Sequence, residues 1–287
     1  MKNSLSLVIA LFSLSSCAPK VITSPISTNA PTQQRFAYEP FAFIEKDTLD
    51  QAVFRKLGEI EIKDSGLSLN CDYETVKAIA KEKALNMAGN GLIIKEHRLP
   101  DVWSTCHRIK ADIIEVDNPR DYETEILWHP KRKLALQDFK GTTENRPFTA
   151  FTFSSFRYQI IGRLAAPRKY KIKVETFFDC RYSYFKRGLQ DSVILAHEQI
   201  HFDISELYAR IFIQKVEEKQ LNLNQFLAEQ QRMLDEVGQA LQLKQDAYDS
   251  EVYADLRQQA KWQTWIDEEL EKTKAYASKI LEVKLER

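Results

Sequence analysis

The alternation of apolar and polar residues predicts a small mixed domain in the first part of the chain. Apolar residues recur at helical spacing from Thr75 to Met87, and Gly89-Asn90-Gly91 then marks the end of that helix. Alternating or short apolar runs predict strands at 58–63, 92–95 and 109–114. We therefore expect a small β-α-β module over residues 37–117, a length that folds as an independent domain.

A second strand-rich stretch follows at residues 118–190. Runs enriched in β-branched and aromatic residues lie at 126–128, 134–136, 148–158 and 170–178. They are separated by turn-forming residues at Pro130, 141–147 and 165–167. The pattern predicts a mainly antiparallel sheet of about four or five strands.

Helical spacing dominates the rest of the chain. The segment 191–218 begins with residues suited to an N-cap, and its apolar residues recur at the spacing of one long helix. An asparagine at 222 or 224 then caps a further helical region that reaches almost to residue 287. Residues 118–287 are thus expected to form one domain, and the fold class is α+β.

The first of these helices carries an H-E-x-x-H motif, His197-Glu198-Gln199-Ile200-His201. At about 100° per residue, His197 and His201 lie about 40° apart on one face, one turn from each other. Two imidazoles in this arrangement can share one metal ion, and Glu198 lies close enough to act on a water beside it. The same short motif also occurs by chance and in proteins that bind no metal, so this alternative stays open.

Composition and charge narrow the classes of partner. The chain has 287 residues, of which 44% are hydrophobic, with 41 basic and 41 acidic side chains. Because no basic excess is available to neutralise phosphates, nucleic acid is not expected as a partner. No apolar run of about 18 residues occurs beyond the N-terminus, so we expect no membrane-spanning segment in the mature chain.

The N-terminal segment predicts export and lipid anchoring. Lys2 precedes a short apolar run, and Leu14-Ser15-Ser16-Cys17 resembles the bacterial lipobox, whose cysteine is acylated and becomes the new N-terminus. Residues 1–17 are thus expected to be a lipoprotein signal peptide, with Cys17 as the lipid anchor and 18–36 as a flexible tether. The expected location is the cell envelope, at the outer membrane, with a periplasmic or surface-facing orientation. An ordinary cleaved signal peptide is the alternative.

The remaining cysteines allow at most one internal disulfide, because an odd number is left after Cys17. Cys71 precedes the helix of the small module and Cys106 opens its last strand, so a bridge between them would join helix to sheet. Cys180 is expected to be a packed or free thiol. The order of these features resembles the small lipoprotein domains of the RcsF type. This resemblance implies that residues 37–117 bind an envelope protein partner or act as a sensor.

Similarity to a known family covers about residues 125–270. It is carried by the segments 134–141, 150–152 and 195–204, and by Tyr248-Asp249-Ser250-Glu251, Gln259 and Trp262. These segments resemble a bacterial family of uncharacterised function described as secreted zinc-dependent proteases. The resemblance implies a zincin-like metallopeptidase domain that binds Zn²⁺ and takes its third metal ligand from a second helix. It also implies hydrolysis of peptide substrates in the envelope, with Glu198 as the catalytic general base.

The chain departs from the family pattern where the third ligand is expected. Val252, Ala254 and Asp255 stand in place of Thr, His and Gly, so the expected histidine is absent. Zinc also accepts carboxylate oxygen, and Glu251 is nominated as the third ligand, with Asp255 as another candidate. The alternative is a member that has lost its metal and serves as a non-catalytic adaptor or sensor.

Other polar residues are not expected to bind metal. No second ligand lies at suitable spacing from the remaining histidines, which are His97, His107 and His129. On a straight helix Asp203 and Glu206 point about 120° and 180° away from His197. Glu206 is therefore expected to pair with Arg210, four residues further on.

Overall fold

A computed structural model describes residues 19–26, 35–45, 54–66, 71–164, 169–189 and 191–284. The first module is a five-stranded sheet of order β1-β3-β5-β4-β2 with one helix. Its elements are β1 (Lys20–Pro25), β2 (Ala42–Glu45), β3 (Phe54–Lys63), α1 (Tyr73–Asn86), β4 (Gly91–Arg98) and β5 (Arg108–Val116). The predicted signal peptide and Cys17 lie outside the described residues.

Helix α1 packs on the first sheet through its small apolar residues. The side chain of Asp72 accepts a hydrogen bond from the backbone of Thr75 and so caps the helix. Val76, Ala80 and Ala84 are fully buried against apolar residues of β3, β4 and β5. A disulfide joins Cys71 to Cys106 and so ties the start of α1 to the segment that precedes β5.

The interpretation of residues 18–36 as a tether is wrong for its first part. Strand β1 occupies Lys20–Pro25 and pairs antiparallel with β3 over its whole length. The residue content, rich in Pro, Ser and Thr, suggested a linker. However, Pro19 precedes the strand and Pro25 is its last residue, so neither proline interrupts the strand interior, and the backbone can pair along one side of β3.

The second domain contains an antiparallel four-stranded sheet and three long helices. The sheet consists of β6 (Glu125–Leu127), β8 (Ser154–Leu164), β9 (Lys169–Asp179) and β11 (Ile280–Lys284), and β9 pairs with each of the others. A separate ribbon pairs β7 (Ala150–Phe151) with β10 (Tyr184–Phe185). The helices are α2 (Ser192–Lys219), α3 (Leu223–Ala254) and α4 (Gln258–Lys272).

Two predictions for this domain are corrected by the structure. Residues 134–136 do not form a strand, because the buried carboxylate of Asp138 accepts a hydrogen bond from the backbone of Ala135 and stabilises a short 3-10 turn instead. The last helical region also ends earlier than predicted. It is broken after Ala254, and the last described element is β11, where Leu281 and Val283 alternate with exposed residues and enter the core.

Helix α2 lies between the sheet and the other helices. Its buried residues Ile200, Ile204 and Leu207 share one core with sheet residues such as Ile172 and with apolar residues of α3 and α4. This core explains why the helix that carries the H-E-x-x-H motif is buried along most of its length. The α+β class is therefore confirmed. Within the described part of the chain, none of the helices is both long and apolar enough to cross a membrane.

Candidate metal centre

Helices α2 and α3 bring two histidines and one aspartate together. The Nε2 atoms of His197 and His201 are 3.0 Å apart. The Oδ1 atom of Asp249, on α3, lies 3.0 Å from His197 Nε2 and 2.9 Å from His201 Nε2. Among the described residues, this is the group of metal-ligating side chains whose candidate ligand atoms all lie within 4.8 Å of one another.

The triangle of ligand atoms has a size that suits a metal ion. Ligand atoms about 2.1 Å from a tetrahedral metal lie roughly 3.4 Å from one another. The observed separations of 2.9 to 3.0 Å are therefore only slightly short of that arrangement. Two imidazole nitrogens and one carboxylate oxygen are also a donor set that zinc accepts.

The hydrogen bonds of Gln245 fix which nitrogen of His201 carries a proton. The amide Nε2 of Gln245 donates to the carbonyl oxygen of His201 at 3.0 Å, so its Oε1 must be the atom that faces His201 Nδ1. An amide oxygen only accepts, and Nδ1 must therefore donate to it. In the neutral ring this leaves a lone pair on Nε2.

That lone pair faces the carboxylate of Asp249, which is 2.9 Å away and also only accepts when ionised. Two acceptors at this distance repel each other unless a positive charge lies between them. Either a proton on His201 Nε2 or a metal cation can supply that charge. The arrangement around His201 is thus compatible with a bound cation, and Gln245 orients the ring toward Asp249.

The electrostatics of Asp249 and His201 show that each of these two groups stabilises the charged form of the other. Burial works to raise the pKa of Asp249, but its contacts with His197 and His201 outweigh burial and hold its pKa well below the usual value. Burial works to lower the pKa of His201, yet Asp249, Glu198 and Gln245 together raise it. The pocket therefore stabilises a negative carboxylate next to a positive group.

Glu198 lies beside the cluster with one oxygen unpaired. Its side chain is buried, and burial raises the pKa of its carboxyl group. The Oε2 atom has no hydrogen-bond partner among the described residues. A buried polar atom without a hydrogen-bond partner lowers the stability of the fold. Such an atom is often retained because it bonds a ligand or a water molecule. Glu198 and His197 also line one cleft that opens to solvent.

Aromatic rings pack the inner side of the cluster. The ring of Tyr248 stacks on His197 at 4.5 Å between centroids and meets His201 edge to face at 5.0 Å. Its hydroxyl donates to the carbonyl oxygen of His197 at 3.4 Å. Tyr248 is fully buried, so its role is to hold the two imidazoles in place.

The residue nominated as the third ligand lies elsewhere. Glu251 is exposed, and its carboxylate accepts a hydrogen bond from the indole of Trp262 at 2.9 Å. It follows Asp249 by two positions, which is about 200° around a helix, so the two side chains point in opposite directions. The structure thus brings Asp249, and not Glu251, to the two histidines. Asp255, the other candidate, caps the end of α3 and pairs with Arg257.

The helical periodicity of α3 contained the signal for Asp249. Tyr248 and Val252 are buried one turn apart and mark the inner face of α3, and Asp249 borders that face one turn after Gln245. Glu251 was nominated instead because it lies one helical turn before position 254, where the family pattern has a histidine. A search along the buried face of the helix would have found both Asp249 and Gln245.

The other polar residues of the sequence prediction lie outside the cluster. Glu206 pairs with Arg210 at 2.9 Å, as expected, and also with Lys279. Asp203 accepts a hydrogen bond from the indole of Trp128. His129 stacks on Tyr38.

The cleft beside Glu198 is mainly apolar. It encloses about 290 Å³ between the loop before β7, the start of α2 and the end of α3. Its apolar lining consists of Pro147, Phe148, Ala150, Val193, Ile194, Val252, Tyr253 and Leu256. An extended peptide could therefore place an apolar side chain in this cleft while its backbone lies near the carboxylate of Glu198.

Comparison with known proteins gives no relative for this chain. No family model matches it, and no curated protein and no solved structure is significantly similar to it.

Proposed function

We propose that this protein is a zinc-dependent peptidase of the bacterial cell envelope. The observation that carries the proposal is the convergence of His197, His201 and Asp249 beside the unpaired oxygen of Glu198. The two histidines and Glu198 belong to an H-E-x-x-H motif on a helix, the structural setting in which this motif serves metal-dependent hydrolysis. We further propose that the domain is zincin-like.

The three ligands would hold zinc through His197 Nε2, His201 Nε2 and Asp249 Oδ1. When bound, zinc supplies a Lewis acid that lowers the pKa of water to about 7. Glu198 accepts a proton from the attacking water at its free Oε2 and then passes it to the amine that leaves. Because burial raises the pKa of Glu198, its carboxylate is a stronger base and takes up the proton more readily.

The location of the enzyme is also a proposal. The lipobox at Leu14-Ser15-Ser16-Cys17 supports a lipoprotein that is anchored in the envelope through Cys17. The first module would then bind an envelope protein or serve as a spacer between the membrane and the catalytic domain. The substrate class is a peptide or an unfolded protein segment, since the cleft next to Glu198 is open and lined by apolar side chains.

The experiment combines metal analysis with a peptide library. We expect purified protein to bind about one zinc per chain and to cleave peptides from the library. The Glu198→Gln variant should keep its zinc and lose about 10²- to 10⁴-fold in kcat/KM. Glu217→Gln, which changes an exposed glutamate on the same helix, is the matched control and should behave as wild type.

Each unfavourable result has a clear meaning. If the protein stays empty after zinc is offered, the peptidase proposal fails and a metal-free envelope adaptor is the better description. If zinc binds but Glu198→Gln cleaves peptides as fast as wild type, the proposed role of Glu198 is wrong.

A further inference from the structure

The turn between β4 and β5 exposes a cluster of large apolar side chains. Leu99, Val102 and Trp103 have exposed fractions of 64%, 92% and 91%. Exposed single apolar residues are common, but a tryptophan and two aliphatic residues together at the tip of one turn are unusual on a protein surface. We call these residues the apolar tip.

Hydrogen bonds hold the turn in a fixed shape. The Oδ1 atom of Asp101 accepts hydrogen bonds from the backbone of Trp103 at 2.9 Å and of Ser104 at 3.0 Å. Arg108 donates to the carbonyl oxygen of Leu99 and to Oδ2 of Asp101. Ser104 in turn bonds Asp64, on the segment after β3, at 2.7 Å. The apolar tip is therefore presented by a braced turn.

The apolar tip lies at the end of the sheet where the chain enters the fold. In the strand register, Lys20 pairs with Lys63, and Arg98 pairs with Arg108. Because β3 and β5 are neighbours in the same sheet, these pairs mark one common end of β1, β3, β5 and β4. Trp103 lines a cleft together with Lys63 at this end.

Cys17 is three positions before Lys20 in the sequence. Three residues span at most about 10 Å, even when the chain is fully extended. Any group attached to Cys17 must therefore lie close to this end of the sheet. A lipid attached there would bring the bilayer surface to the same end as the apolar tip.

We propose that the apolar tip inserts into the surface of the lipid bilayer and fixes the orientation of the first module on the membrane. Tryptophan is enriched at the membrane interface, where its ring is amphipathic and its indole N–H can still reach water or headgroups. This inference rests on the proposed lipid anchor at Cys17 and does not depend on the metal centre.

The charges around the apolar tip indicate that the contact is mainly apolar. Lys63 pairs with Glu61, and Arg98 pairs with Glu96. Arg108 pairs with Asp101 at 2.6 Å. These three cations are paired within the protein, and Lys20 adds one further positive charge at this end. Attraction to anionic lipid should therefore contribute less than the apolar contact, and insertion should depend mainly on Leu99, Val102 and Trp103.

The test attaches the protein to vesicles through Cys17 itself. A chain that begins at residue 17 is coupled through the Cys17 thiol to a maleimide lipid in phosphatidylcholine vesicles, some of which contain brominated acyl chains. Coupling is selective, because Cys71 and Cys106 are bonded to each other and burial raises the pKa of Cys180 to about 12. Quenching of tryptophan emission then reports contact with the acyl chains.

We expect brominated lipid to quench the emission of the coupled protein, and the quenching to disappear in Trp103→Phe, which keeps the other three tryptophans. As a matched control, Leu243→Trp in the Trp103→Phe background adds a tryptophan at a position that is 70% exposed on α3, in the other domain, and it should not be quenched. Thermal unfolding of each variant confirms that it is folded.

Three results would overturn the proposal. The first is no quenching of the coupled wild-type protein, and the second is equal quenching of the Leu243→Trp control. The third is loss of quenching when salt is raised from about 0.1 M to about 1 M, since an apolar contact is not screened. If the apolar tip stays in water but Trp103→Asp abolishes binding of an envelope protein, the surface serves a protein partner instead.

Discussion

The protein contains two pairs of histidines that are equally close and differ in their surroundings. In the first module, His97 Nε2 lies 2.8 Å from His107 Nδ1. In the second domain, His197 Nε2 lies 3.0 Å from His201 Nε2. Distance between imidazoles therefore does not distinguish the two pairs.

The difference lies in what faces each pair. His97 stacks on Tyr73 at 3.9 Å, and burial together with the neighbouring His107 lowers the pKa of His97. One ring can donate a hydrogen bond to the other there, so this contact needs no added positive charge. At His197 and His201, the carboxylate of Asp249 and the amide of Gln245 demand a positive charge. The candidate metal site is thus distinguished by groups from a second helix, and two close histidines are not enough.

The largest effect should follow from removal of the carboxylate. Asp249→Asn should lower zinc affinity by about 10³-fold or more, because a neutral amide oxygen replaces the charged ligand of a buried site. Isothermal titration with zinc measures the change directly. His97→Ala should leave zinc affinity unchanged, since among the described residues the first pair does not belong to a group of three candidate metal ligands.

Glu251→Gln provides a further control for this prediction, as its carboxylate contacts Trp262 and not the histidines. If Glu251→Gln releases zinc and Asp249→Asn does not, the sequence-based nomination was right and the ligand set proposed from the structure is wrong.

A second prediction concerns the source of stability in each region, which is a disulfide in the first module and bound zinc in the second domain. The disulfide between Cys71 and Cys106 spans 35 positions and contributes about 4 kcal/mol in the chain-entropy model. Replacement of both cysteines by serine should therefore lower the free energy of unfolding of the first module by about that amount. Hydrogen exchange should detect the change in β4 and β5, while the amides of α2 and α3 stay protected.

Removal of zinc by a chelator should give the opposite pattern, with faster exchange around His197 and in α3. If the serine variant loses its zinc, or if the chelator loosens β4 and β5, the two regions are coupled and this contrast does not hold.

The same contrast explains how much of the molecule the sequence could predict. Local signals sufficed for α1, α2 and the strands β3 to β5, because each shows its period within one segment. The H-E-x-x-H motif placed His197 and His201 on one face for the same reason. Strand β1 was missed because it is an edge strand that pairs with β3, more than 30 positions away, which residue content alone cannot indicate.

The third ligand was missed for a comparable reason. Asp249 acquires its role from the angle at which α3 crosses α2, and packing in the shared core determines that angle. Glu251 was favoured because it lies close in sequence to the position of the expected histidine, but its side chain points away from His197 and His201. The zincin-like domain, the lipid anchor and the peptidase activity stay predictions, with the experiments above as their tests.

A third, smaller effect should follow from loss of the residue that orients His201. Gln245→Leu removes the acceptor for His201 Nδ1, and zinc affinity should fall by about 10- to 100-fold, the usual range for such partners. Gln242→Leu is the matched control, because Gln242 lies on the same helix and bonds Asp246 at the exposed surface. Equal affinities in the two variants would show that Gln245 does not position the ligand.

The smallest predicted effect concerns the apolar cleft. Leu256 is 68% exposed and lines the cleft beside Glu198, so an apolar side chain of a bound peptide should contact it. Leu256→Asp should lower kcat/KM by roughly 10-fold for peptides with a large apolar residue next to the cleaved bond, because a charge replaces apolar contact. Zinc content should not change, since Leu256 does not touch the ligands.

The matched control is Leu243→Asp, which introduces the same charge at an exposed leucine of α3 that does not line the cleft. In wild type, kcat/KM should be higher for apolar than for acidic peptides. The ratio of these two kcat/KM values should fall in Leu256→Asp and stay the same in Leu243→Asp. If both variants keep the wild-type preference, this cleft does not hold the substrate, although zinc could still bind. If neither protein cleaves any peptide, the peptidase proposal itself is at fault, because the cleft alters which peptides are preferred and the metal centre determines whether any bond is broken.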